Sequence, residues 1–145
     1  MAGTSDRPTL DEFRSACRFH FAFLSDYGFS EQDPPIHRRG NDFEGWFVAD
    51  HISLIIVGEG YGGTASAGFE HSSGSELSSI DLVPEDHRPR PWKRGMKTLD
   101  QIGSIAREAA WVKEHAVDVL SGDLRRYIKL AAPLQWYKRP DESGG

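Results

Sequence analysis

The stretch LIIVGEGYGGTASAG, residues 54–68, decides how the chain is read. Gly58, Gly60 and Gly63 follow an apolar run with the G-x-G-x-x-G spacing of a dinucleotide-binding turn. Such a turn needs a buried strand before it and glycines that let the backbone approach a pyrophosphate. It also needs a helix whose N-terminus faces the phosphates, and an acid about 20 residues on. The strand and the glycines are present, and Glu76 or Asp81 stands near the place of the acid. The helix is missing: TASAGFEHSSGSELSS, residues 64–79, carries Gly68, Gly74 and a run of serines, with no apolar stripe at helical spacing. A P-loop fits less well still, because the G-x-x-x-x-G spacing from Gly58 to Gly63 leads into Thr64 and not into Lys-Ser/Thr. The stretch therefore reads as a hairpin between two strands, with glycines available for positive φ and Tyr61 at the tip.

Working outward, Phe43–Ala49 and Ile52–Val57 are aromatic and β-branched and read as two strands joined by a tight turn near Asp50 and His51. Residues 64–70 and 77–83 read as a third and a fourth strand. Upstream, Thr9 and Glu12 form a capping box. Leu10, Phe13, Cys17, His20 or Phe21, Leu24 and Tyr27 follow at helical spacing, predicting a helix over 10–27 stopped by Gly28. The segment SEQDPPIHRRGND, residues 30–42, reads as a loop or a poor edge strand. Downstream, Thr98 is the expected cap of a helix whose stripe runs from Leu99 to Leu120. Asp123 then caps a third helix through Ala131, with Pro133 limiting its end. A helix, a meander of strands and two C-terminal helices on one face make an α+β fold. Residues 1–140 form one domain, and residues 141–145 are expected to be disordered.

The charge pattern limits the function classes. Net charge is −5, from 22 acidic and 17 basic residues, which argues against a general nucleic-acid binder. The balance is uneven: HRPRPWKRGMK, residues 87–97, holds five basic residues and no acid, so the remainder stands at −10. No apolar run approaches the length of a membrane span, and the N-terminus lacks the basic and apolar regions of a secretory signal. A cytoplasmic location is expected. No histidine stands three or four residues from another, and Cys17 is alone, so no metal site or cofactor is expected. Cys17, on the apolar face of the first helix, reads as a small buried hydrophobe. The pairs Glu85-Asp86 and Asp141-Glu142 lie in loops and give no acid/base assignment, so no catalytic residue is named.

Two further stretches carry a resemblance. Tyr27-Gly28-Phe29 ends the first helix, and Leu120-Ser121-Gly122-Asp123 ends a helix near the C-terminus. In this order, over residues 13–128, the chain resembles a group of small uncharacterised bacterial proteins, some of them thought to be immunity proteins of polymorphic toxin systems. The resemblance implies a sheet between two helical parts and a non-enzymatic protein that neutralises a toxin by direct binding, and it brings no catalytic residues. An acidic body suits a basic partner such as a nuclease. The expected contact residues are Glu59, Tyr61 and Glu70 on the sheet, or Arg90, Trp92 and Arg94 in the basic segment. The alternative is a small-molecule or nucleotide binder, or an enzyme, with Gly58, Gly60 and Gly63 beside its pocket.

Overall fold

The computed structural model describes residues 8–34, 43–59, 64–87 and 100–137, with residue 59 and residues 132–137 in backbone only. Helix α1, Leu10–His20, starts at the expected capping box: Thr9 Oγ1 accepts the Glu12 amide at 3.1 Å, and Glu12 Oε1 accepts the Thr9 amide at 2.8 Å. The α-helix stops earlier than the expected residue 27. After Phe21 the chain tightens into a 3-10 helix, Ala22–Tyr27, ended by Gly28 at φ 88°. The change of pitch keeps Phe13, Cys17, Phe21 and Leu24 all buried.

Five antiparallel strands follow in sequence order: β1 Ser30–Gln32, β2 Glu44–Val48, β3 Ser53–Glu59, β4 Thr64–Glu70 and β5 Glu76–Ser78. The edge-strand reading of residues 30–42 holds for the three residues Ser30–Gln32, which pair with Val48, Phe47 and Trp46. Alternation along the strands sends Phe47, Leu54, Ile56, Ala65, Ala67, Phe69 and Leu77 to one face, and all are buried there. The expected strand over 77–83 is cut short. Ser78 caps a 3-10 turn, Ser79–Leu82, in which Asp81 Oδ2 accepts the Ser78 amide at 3.2 Å.

The helices cover that face. Helix α2, Gln101–His115, is capped by Asp100, whose Oδ1 accepts the Gly103 amide at 2.7 Å; the expected cap, Thr98, lies outside the described residues. The single helix expected to run to Leu120 is broken at Ala116, and α3, Val117–Ser121, continues to Gly122 at φ 98°. Arg126 satisfies the backbone at the break. Its guanidinium donates to the carbonyl of His115, the group that an unbroken helix would bond to the amide of Val119. Helix α4 runs Arg125–Tyr137, past the expected limit at Pro133. The carbonyl deprived of a donor there belongs to Lys129, which is exposed, so solvent can satisfy it. Tyr127, fully buried on α4, donates from its hydroxyl to the Ser75 carbonyl at 2.9 Å and ties α4 to the β4–β5 hairpin. No helix among the described residues is long and apolar enough to cross a membrane.

Candidate functional site

The glycine stretch is part of a hairpin: β3 and β4 pair in register from Ser53↔Glu70 to Glu59↔Thr64. A strand therefore stands where a dinucleotide turn requires a helix. Gly58 owes its lack of a side chain to packing, since the positive-φ glycines among the described residues are Gly28, Gly74 and Gly122. A Cβ at Gly58 would come within 2.6 Å of Gln101 Nε2 and 3.0 Å of the Phe13 ring. The face of Gly58 is thus filled by α1 and α2. Gly60, Tyr61 and Gly63 lie outside the described residues, as do Arg90, Trp92 and Arg94. Glu59 ends β3 opposite Thr64.

Two polar features stand out in the described structure. The first is a seam between α2 and the sheet. Because β5 ends at Ser78, the Ala67 amide has no strand partner on that side, and Glu108 supplies one: its Oε1 accepts from Ala67 N at 3.0 Å and from Ser79 Oγ. Glu108 is only 4% exposed, and burial pushes its carboxyl above the ordinary carboxylate range, opposed by these hydrogen bonds and by Arg107, 3.5 Å away. One and two turns nearer the helix start lie Ser104 and Gln101, both buried. Gln101 Nε2 donates to the Thr64 carbonyl at 3.0 Å, while Gln101 Oε1 and Ser104 Oγ have no hydrogen-bond partner among the described residues. The seam closes a sheet edge with side chains where a longer strand would have closed it with backbone.

The second feature is a groove of about 380 Å3 on the opposite face of the sheet, lined by Ile55, Val57, Ser66, Gly68, Glu70, Glu76, Ser78 and Asp81. The register explains its shape. Ile55 pairs with Gly68, and Gly68 pairs with Ser78, so the floor drops to backbone level between an apolar wall on β3 and a polar wall on β5. A Cβ at Gly68 would stand 3.2 Å from the Leu77 carbonyl oxygen. Glu70 and Glu76 are direct cross-strand partners, which puts two carboxylates side by side at one end, and the Ser79–Leu82 turn adds Asp81 to the lining. On the same face Trp46 Nε1 donates to Glu44 Oε1 at 2.7 Å.

Of the residues singled out from the sequence, Glu70 is in this groove. Glu76 and Asp81 were read there only against the dinucleotide pattern, and the groove brings them beside Glu70. A smaller depression of about 150 Å3 at the end of the sheet is lined by His51 and His71, among others. There His51 Nε2 is bonded to the Leu120 carbonyl at 3.0 Å, and His71 Nδ1 to Ser73. No group of three or more His, Cys, Asp or Glu among the described residues is placed to hold a metal ion. No protein-family model, curated protein or solved structure matches the chain.

Proposed function

We propose that this chain is a non-enzymatic binding protein of the immunity or antitoxin kind, which neutralises a basic partner protein by occluding it, with the groove across β4 and β5 as the contact surface. The observation that carries the reading is the pairing of an apolar wall, Ile55 and Val57, with an acidic wall, Glu70, Glu76 and Asp81, in one concave surface. Val57 is half-buried and leaves apolar area for a partner to cover, while Ile55 beside it is already buried, and the carboxylates steer a cationic partner at the same time. The chain's net charge of −5 acts in the same direction at longer range.

The test is complex formation between the full chain and the protein encoded beside its gene, read by calorimetry and by growth of cells producing both. A one-to-one complex that restores growth, and that weakens at least tenfold in the charge-reversed variant E70K/E76K, supports the reading. Growth inhibition untouched by the chain, or a complex indifferent to the charge reversal, overturns it. A rise of several degrees in melting temperature with NAD, FAD or ATP would replace it by nucleotide binding.

A further inference from the structure

We infer that the seam between α2 and β4 is a binding site for one internal water molecule, which bridges the amide of Ala65, Oε1 of Gln101 and Oγ of Ser104. Two long side chains set the spacing of helix and strand. Gln101 Nε2 donates to the Thr64 carbonyl at 3.0 Å, and two turns on, Glu108 Oε1 accepts the Ala67 amide at 3.0 Å. Helix and strand therefore run side by side in the same direction, and Ser104, between those two residues, falls opposite Ala65.

The Ala65 amide needs an acceptor. Its register partner, Gly58, donates its own amide to the Phe43 carbonyl at 2.8 Å and so faces β2. In an antiparallel ladder the residue opposite then makes no bond to β3, so Ala65, like Ala67, turns its amide to the far side of β4. There β5 pairs with Gly68, Phe69 and Glu70 alone, and no described strand meets Ala65. At Ala67 the Glu108 carboxylate supplies the acceptor. Ser104 is too short to do the same for Ala65, because its oxygen stands two bonds nearer the helix than a glutamate oxygen. That difference in length leaves room for a molecule of water's size.

The polar groups select water over an ion. Gln101 and Ser104 are 1% and 0% exposed, and Gln101 Oε1 and Ser104 Oγ have no hydrogen-bond partner among the described residues. Buried polar atoms left unpaired carry the full cost of their desolvation. The site offers one donor, the Ala65 amide, one acceptor, Gln101 Oε1, and a hydroxyl that serves as either. Water accepts from the first, donates to the second and bonds the third, the three partners typical of a buried water. A cation could not accept from the amide, and an anion could not donate to Gln101 Oε1. With the water in place, the β4 edge is closed by one polar row running from Gln101 through Ser104 to Glu108 and Ser79.

The test is a high-resolution crystal structure of the full chain, with melting temperatures for the native chain, S104Q and S104M. The expected result is a single water peak about 2.7–3.2 Å from Ala65 N, Gln101 Oε1 and Ser104 Oγ. In S104Q the longer side chain should replace the water, its carbonyl taking the Ala65 amide and its NH2 reaching Gln101 Oε1. S104M has nearly the same shape without the polar atoms and should melt about 2–4 °C below S104Q. A native structure with no water peak there, and with Ser104 Oγ turned to the Asp100 carbonyl of its own helix, overturns the inference. So does an ion at the site, or S104M as stable as S104Q. The native structure decides the matter by itself should either variant fail to fold.

Discussion

A methyl group on Gly58 would stand 2.6 Å from Nε2 of Gln101, and that nitrogen is held by the Thr64 carbonyl at 3.0 Å. The glycine of β3 and the first residue of α2 are thus fitted to each other, and the helix start is pinned against the hairpin. G58A should destabilise the fold by about 1–3 kcal/mol, the usual cost of overpacking a core. Q101A removes the obstructing amide but also its bond to Thr64. In a double-mutant cycle, measured by urea unfolding, G58A should cost less in the Q101A background than alone, with a coupling of at least about 0.5 kcal/mol. Strict additivity would show that Phe13, 3.0 Å away, sets the cost by itself.

Glu108 gives the second prediction. E108A leaves the buried Ala67 amide without an acceptor and should cost about 2–3 kcal/mol, whereas E108Q keeps an acceptor oxygen and should cost about 1 kcal/mol or less. The pH dependence separates charge from hydrogen bonding. Burial raises the folded-state carboxyl above its ordinary 4.5, so the folded protein binds this proton more tightly than the unfolded chain. The contribution to stability is then greatest at low pH, declines as pH rises from about 4.5 to the folded value, and is constant above it. Subtracting the E108Q stability profile from that of the native chain should leave this downward step. A flat difference, or a rise, would show that Arg107 outweighs burial.

How far these features were legible depends on whether the signal was local. The hairpin was legible because apolar β-branched residues flank a glycine cluster and Gly68 and Gly74 exclude a long helix. The capping box at Thr9 and Glu12 was legible because its partners stand three residues apart. Glu108 was not, since a carboxylate at an inward helical position interrupts the stripe of Ile105, Ala109 and Val112. Its role arises from an amide 41 positions away that loses its strand partner only because β5 ends early. Glu70 was legible as a charged residue at a strand end. Its pairing with Glu76 required the register of β5, which the weak apolar pattern of LSSIDLV does not specify. The helix break at Ala116 was illegible for the same reason, as the donor that satisfies the freed His115 carbonyl, Arg126, comes from the next helix.

Arg126 and Asp118 give the third prediction. Arg126 Nε and Nη2 reach the two oxygens of Asp118 at 3.0 and 2.7 Å, and the same guanidinium donates to the carbonyls of His115 and Leu82. R126A should cost about 2 kcal/mol, most of it from the lost carbonyl bonds, because the ion pair is partly exposed and screened. R126K should recover only part of this, since an ammonium cannot reproduce the fork. The hydrogen bonds from Arg126 hold the Asp118 carboxyl below its ordinary 3.8. The stabilisation is therefore present above that value and is lost as pH falls through the folded value. Acid unfolding of D118N should lack this component, and a native-like acid limb in D118N would refute the assignment.

Cys17 gives the last prediction. Its thiol is buried between α1 and β2, where its Sγ would lie 3.3 Å from a Cβ placed on Gly45. Desolvation, with a further push from Glu31, raises the thiol to about 12. The nucleophile is the thiolate, so at pH 8 the native protein holds almost none of it, and the sulfur is also closed to reagent. A disulfide reagent such as 5,5′-dithiobis(2-nitrobenzoate) should label the native chain only through opening of the fold, at a rate that rises with urea and reaches that of a free thiol once unfolded. Rapid stoichiometric labelling in native buffer would mean that α1 detaches from the sheet far more readily than its packing implies. G45A, which presses a methyl group on the sulfur, should speed native-state labelling in proportion to the stability it removes.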